Sequence, residues 1–347
     1  MADISLTSVE KNFDGIPALH AISAHIQDGE FVALLGPSGC GKSTLLRLLA
    51  GFEVPTAGAI SIGGTEVANA QTGCSVAPEA RNIGFVFQSY ALWPHMSVHR
   101  NVSYPLQVRG VGKADLTRQT DAALQATGLQ QYAARMPSEL SGGQRQRVAL
   151  ARCLVSDPDA VLLDEPLANL DVALRASMQE VFTDFHNRTG ATMVYVTHDQ
   201  TEAMAMADRI AVMSEGRIAQ FDTPEVLYNQ PRNKFVADFV GEGTVLPIED
   251  IAHADIATEA RLFGQKITIQ TDTQQPNLIC LRPENIRISE TGDVRSQVTR
   301  STYLGGRYRL TLQLPNGMQM VAESRQRYTD GTQLGVSIDA PWAFWEA

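Results

Sequence analysis

The chain has 347 residues, enough for two domains at the usual ~150 residues each. Lys and Arg number 28 and Asp and Glu 38, a net charge of −10, which argues against gripping a nucleic-acid backbone, since that work needs a basic stripe. The 44% hydrophobic and 19% charged content belongs to a globular chain, and apolar stretches such as Phe31 to Leu35 fall far short of the ~18 residues that span a bilayer. The opening Met-Ala-Asp-Ile-Ser lacks the marks of a signal peptide, and Cys40, Cys74, Cys153 and Cys280 form no C-x-x-C pair. The expectation is a cytoplasmic protein with reduced thiols.

Taken in chain order, strands alternate with helices up to about Gly241, the pattern of an α/β domain with a largely parallel sheet. Phe31 to Leu35 is a continuous apolar run, as expected of a strand buried on both faces. Similar runs follow at Ile83 to Phe87, Ala160 to Leu163, Thr192 to Val196 and Ile210 to Met213. Pro94 to Arg135 interrupts the alternation with mostly helical, polar sequence and reads as a helical insertion. After Asp171, Leu174, Met178, Val181, Phe182 and Phe185 form one stripe at helical spacing. Beyond Gly241 the texture becomes short alternating strands. Tyr308, Leu310, Leu312 and Leu314 alternate with polar residues before a Pro315-Asn316-Gly317 turn, a strong hairpin signal. The C-terminal third is therefore expected to be a small, barrel-like β domain.

Three motifs carry chemistry. Gly36, Pro37, Ser38, Gly39, Cys40, Gly41, Lys42, Ser43 and Thr44 match G-x-x-x-x-G-K-[ST], between a buried strand and an apolar helix. Such a loop wraps phosphates in backbone N–H groups, and the following helix N-terminus adds partial positive charge. Lys42 would reach the β- and γ-phosphates and the Ser43 hydroxyl would ligate Mg²⁺. The run Val161 to Glu165 is a buried strand ending in two carboxylates. Asp164 is placed to hold Mg²⁺ and Glu165 to act as general base on an attacking water. Finally, Leu140, Ser141, Gly142, Gly143 and Gln144 open a helix with a good N-cap and two glycines. Consecutive glycines cost roughly 1 kcal/mol each relative to Ala there, which suggests a phosphate approaching the backbone closely. One chain cannot easily wrap both anion sites around one nucleotide, so the second points to a dimer.

On these motifs the chain resembles the ATP-binding cassette family, specifically importer ATPases with a C-terminal β domain. The resemblance implies a P-loop cassette over residues 1–240, with a helical subdomain near 94–158, and an oligomer-binding-like regulatory domain over 241–347. It makes Gly36 to Thr44 the Walker A loop, Leu140 to Gln144 the signature sequence, Asp164 the Walker B acid and Glu165 the catalytic glutamate. It places Gln88 in the Q-loop, with a metal and coupling role, residues Ala168 to Asp171 in the D-loop, and His198 at the switch histidine. Phe13 stands where relatives stack a ring on adenine. Other readings stay open: Phe13 as core, Gln88 as a strand-end polar residue, and His198 as a helix-start residue. Trp93 suits either a partner groove or a buried position between subdomains. The resemblance implies ATP and Mg²⁺ as cofactors, a homodimer, a membrane permease with an extracytoplasmic solute-binding protein, and a place on the cytoplasmic face of the inner membrane. The segments Phe235 to Thr244 and Pro341 to Trp345 look most like the ferric-iron subgroup, so iron is the expected cargo, ahead of sugars or polyamines.

Overall fold

The computed structural model describes residues 2–168, 170–253, 258–289, 292 and 294–346, with the Ala173 side chain left out. It divides into two compact units, Met1–Phe221 and Asp222–Ala347, so the division lies ahead of the texture change at Gly241.

The first unit is built on two sheets. β1 (Ile4–Phe13) and β2 (Ile16–Ile26) pair antiparallel, and β4 (Ala57–Ile62), β5 (Thr65–Asn69) and β6 (Cys74–Ser75) extend them in the order β2-β1-β4-β5-β6. The sequence pattern does not announce this sheet, because one face is exposed and the strands read as mixed. The second sheet has the order β11-β10-β3-β9-β8-β7. Its strands are β3 (Phe31–Leu35), β7 (Ile83–Val86), β8 (Ala160–Asp164), β9 (Thr192–Thr197), β10 (Arg209–Ser214) and β11 (Arg217–Asp222). The pairs from β10 through β3, β9 and β8 to β7 are all parallel. Every residue of β3 and β9 is buried, the cause of their unbroken or nearly unbroken apolar character.

Helices connect these strands. α1 (Lys42–Ala50) follows β3 directly, while α2 (Val98–Val108), α3 (Lys113–Ala126) and α4 (Gly142–Leu154) fill the long interval between β7 and β8. α2 to α4 share their own apolar cluster, including Val98, Val102, Leu124 and Val148. α5 (Val172–Thr189) buries Met178, Phe182 and Phe185 against the parallel sheet, and α6 (Gln200–Met206) links β9 to β10. Arg81 fixes the far end of α1: its guanidinium is buried and donates to Leu48 O, Leu49 O, Val76 O and Val67 O at 2.7–3.2 Å. No described helix is long and apolar enough to cross a membrane.

The second unit opens with α7 (Pro224–Asn229) and α8 (Lys234–Phe239), followed by strands. Buried Arg282 donates to Tyr228 O, Ala237 O and Val240 O, tying both short helices to the strand Leu278–Leu281. Three small antiparallel sheets follow. The largest runs Ile286–Ser289, Gln333–Ile338, Val294–Tyr303, Tyr308–Gln313, Gln319–Ser324. The hairpin across Asn316-Gly317 forms with Gln313 opposite Gln319, and Leu310, Leu312 and Val336 enter one core with Leu246 and Ile279.

Candidate functional site

The parallel sheet gathers the chemistry at the carboxyl ends of adjacent strands, where doubly wound folds bind ligands. β3 leads into Gly36, β8 ends at Asp164 with Glu165 next, and β9 ends just before His198; Gln88 lies in an exposed turn two residues beyond β7.

Between β3 and α1 the loop Gly36 to Gly41 closes over Lys42. Gly41 caps the helix with φ 100°, a left-handed conformation that disfavours any residue with a Cβ. Lys42 is only 5% exposed, and its Nζ donates to Gly36 O at 2.8 Å and Pro37 O at 2.9 Å. The ammonium thus stands inside its own loop on neutral acceptors, ready to exchange them for charged phosphate oxygens. Cys40 is buried with Sγ 3.8 Å from that Nζ.

One residue along, Ser43 Oγ donates to Asp164 Oδ1 at 3.0 Å. These are two hard oxygen donors side by side, the chemistry Mg²⁺ takes. Burial raises the Asp164 carboxyl above its ordinary pKa; Glu165 adds to the shift, while Ser43, Arg47 and Lys42 oppose it. A divalent ion beside it would relieve that penalty, so the residues present fit the cofactor the motif implies.

Glu165 has a left-handed φ of 44°, rare for a residue with a long side chain. Its N–H donates to Val196 O on β9 at 3.1 Å, which holds the backbone in that turn. The carboxylate comes to 3.7 Å from His198 Nδ1. Strain of this kind persists where surrounding structure over-determines it, commonly at functional sites. His198 is well exposed and precedes the N-cap Asp199, so it belongs to a loop rather than a helix start.

Ser141 caps α4 in a reciprocal box: Gln144 N–H donates to Ser141 Oγ at 3.3 Å and Ser141 N–H to Gln144 Oε1 at 2.9 Å. Gly143 is buried, and a Cβ there would lie 2.7 Å from Leu174 Cδ1, the tip of a side chain on α5. Ser141 is exposed and Gly142 partly so, which leaves the helix N-terminus open. Phe13 is 41% exposed at the end of β1, with Lys11 Nζ 4.7 Å from its ring centre; it is not core. Among the described residues, Ser141 and Phe13 make no hydrogen bond, ion pair or ring contact with Lys42, Ser43, Asp164, Glu165 or His198. Asn169, within the D-loop segment, lies outside the described residues.

Trp93 lies in the stretch that follows the Gln88 turn. It is half-buried against Tyr104, ring centres 4.6 Å apart, with the Arg152 guanidinium 4.8 Å over its ring. It also lines a 570 Å³ groove together with Phe87, Tyr104, Val108 and Arg152.

Sequence reasoning missed the group behind His198. Arg175, Asp199 and Glu202 were given no role from the sequence. The structure makes Glu202 a buried acceptor for Tyr195 and Thr197, and brings Arg175 to both carboxylates. The signal that could have found them is an acid four residues after the histidine, on a helix whose other residues are largely apolar.

Residues 19–168 match the ABC transporter family model and residues 279–345 the TOBE domain model. A spermidine/putrescine import ATP-binding protein of Pseudomonas aeruginosa is 41% identical over 98% of this chain and 96% of its own length. The chain belongs to the ATP-binding cassette family. An Fe(3+) ions import ATP-binding protein of Rhizobium etli is 43% identical over 87% of this cassette protein and 85% of its own length. A solved dimeric ATP-binding cassette in a post-hydrolysis state, bound to ADP and Pi, superposes with a TM-score of 0.54 at 31% identity. It covers 63% of this chain and 98% of that one. The chain is thus an importer-type cassette ATPase with a TOBE domain, and the cassette uses ATP with Mg²⁺.

Proposed function

We propose that this chain is the ATP-hydrolysing subunit of a bacterial importer, a homodimer at the cytoplasmic face of the inner membrane beneath a permease that an extracytoplasmic solute-binding protein serves. Residues 1–240 form the cassette, with residues 94–158 as its helical subdomain, and 241–347 the regulatory β domain. No nucleic acid is involved.

The observation that carries the reading is the alignment of Lys42, Ser43, Asp164, Glu165 and His198 at the ends of three adjacent strands. The loop Gly36 to Thr44 binds the phosphates, and Lys42 supplies charge to the β- and γ-groups. Ser43 and Asp164, with Gln88, would hold Mg²⁺, whose charge stabilises the phosphate oxygens. Glu165 accepts the proton of the attacking water, and His198 orients the γ-phosphate. Phe13 stacks on adenine. Ser141, Gly142, Gly143 and Gln144 form the helix opening that meets the nucleotide of the other chain. Each site is thus completed by Ser141 of the partner subunit. Most of the rate gain is positioning and charge stabilisation.

The groove lined by Phe87, Trp93 and Val108 supports permease docking next to Gln88, since an apolar trough with an aromatic wall suits an incoming helix. For cargo, the C-terminal segments favour ferric iron, and the relative from Rhizobium etli supports that reading. The relative from Pseudomonas aeruginosa, which matches over nearly the whole chain, supports a polyamine. The test is uptake in a strain lacking the gene, measured with radiolabelled Fe³⁺ and with radiolabelled spermidine, and rescued by wild type but not by Glu165→Gln. Loss of iron uptake alone selects the first reading and loss of spermidine uptake alone the second. Loss of neither rejects both and leaves the ATPase to be judged by its own rate.

A further inference from the structure

His198 sits on a bridge between β9 and α6, and both neighbours are anchored to one partly buried ionic group. Thr197 Oγ1 donates to Glu202 Oε2 at 2.7 Å and accepts from Asp199 N–H at 2.9 Å. Asp199 Oδ1 in turn accepts from the N–H groups of Thr201 and Glu202. Glu202 is 4% exposed and also accepts from Tyr195 OH at 2.7 Å. Arg175, in the first turn of α5, closes the group from the other side. Its Nη1 donates to Asp199 Oδ2 at 3.0 Å, and its buried Nε lies 3.5 Å from Glu202 Oε1. Its Nη2 reaches Leu170 O at 3.5 Å, in the segment that follows Glu165. Arg175, Glu202, His198 and Glu165 line one small cavity.

Only Glu202 of this group is buried, while Arg175 and Asp199 keep 30% and 28% of their side-chain surface, and ion pairs so placed contribute little net stability. What such a pair supplies is a fixed geometry. Here the geometry is that of the two residues flanking His198, referred to the start of α5. We infer that Arg175, through Asp199 and Glu202, is a positioning residue that sets the His198 imidazole against Glu165 and links it to the segment after the acidic pair. The inference rests on the role given to His198 above.

The test uses the purified full-length chain. Arg175→Met keeps the side-chain stem and removes the charge, Arg175→Lys restores a cation, and Glu202→Gln keeps the shape. Each is made alone and with His198→Ala. Arg175→Met and Glu202→Gln should lower kcat at least tenfold while the KM and Kd for ATP change less than threefold, and Arg175→Lys should recover part of the loss. Combined with His198→Ala, the same changes should alter the residual rate less than twofold, because the group acts through the imidazole. In the nucleotide-free protein, the His198 ring resonance, assigned by its loss in His198→Ala, should shift or broaden in Arg175→Met. An unmoved resonance overturns the inference, and so does an equal loss of rate with and without His198. A near-normal kcat in His198→Ala alone would show instead that the underlying role of His198 is wrong, and the inference would fall with it.

Discussion

Replacing Lys42 by Ala tests the phosphate loop, and the structure sets the size of the effect. The ammonium has two acceptors within its own loop, Gly36 O and Pro37 O at 2.8 and 2.9 Å. Binding exchanges these neutral carbonyls for charged phosphate oxygens, so only the difference appears in affinity. A hydrogen bond to a charged group contributes about 1.5–3 kcal/mol, which corresponds to a roughly 10- to 150-fold weaker Kd. The lower part of that range is expected, because the lysine gives up existing bonds. The assay is titration with a fluorescent ATP analogue in the presence of Mg²⁺, with circular dichroism to confirm that the fold survives. A Kd within threefold of wild type in a folded Lys42→Ala protein would refute the assignment of this lysine to the phosphates.

Glu165→Gln should keep ATP binding and cut turnover below a tenth of wild type, because the amide copies the shape without accepting a proton; ATP should then lock a dimer visible by light scattering. Asp164→Asn should raise the melting temperature of the nucleotide-free protein at neutral pH while abolishing Mg²⁺-dependent hydrolysis. Its sign follows from the raised carboxyl pKa in the fold: wild-type stability from this group is full below the unfolded value and is lost as pH rises through the raised folded value. The Asn gain should therefore vanish on acidification, and a gain that persists at low pH would contradict the account. Val108→Glu, at an exposed position on the groove wall, should prevent co-purification with the permease and leave the ATPase of the isolated subunit within twofold.

The parts of the fold that the sequence announced are those whose residues face a single environment. β3 and β9 are buried on both faces and read as apolar runs; α5 buries one stripe and reads as a helix. The antiparallel sheet around β1 and β2 was not legible, because exposed Phe13 and Ile16 break the alternation. The phosphate loop and acidic pair could be read from spacing, since their geometry is local. Glu202 could be suspected from its place four residues after His198, but Arg175 could not, because its meaning lies in a contact between α5 and α6 that no spacing encodes.

The central claim is a nucleotide site completed by two chains, and mixing two inactive variants tests it most directly. Lys42→Ala damages the phosphate loop of its own chain, and Ser141→Arg blocks the exposed α4 opening offered to the other. In a heterodimer one composite site carries both lesions and the other carries neither. The measurement is the ATPase rate of the mixture at rising ratios of the two proteins, with heterodimer content followed by a tag on one of them. The account predicts that neither variant alone hydrolyses ATP and that the mixture regains activity in proportion to heterodimer. Heterodimers that form in full yet stay inactive would contradict it.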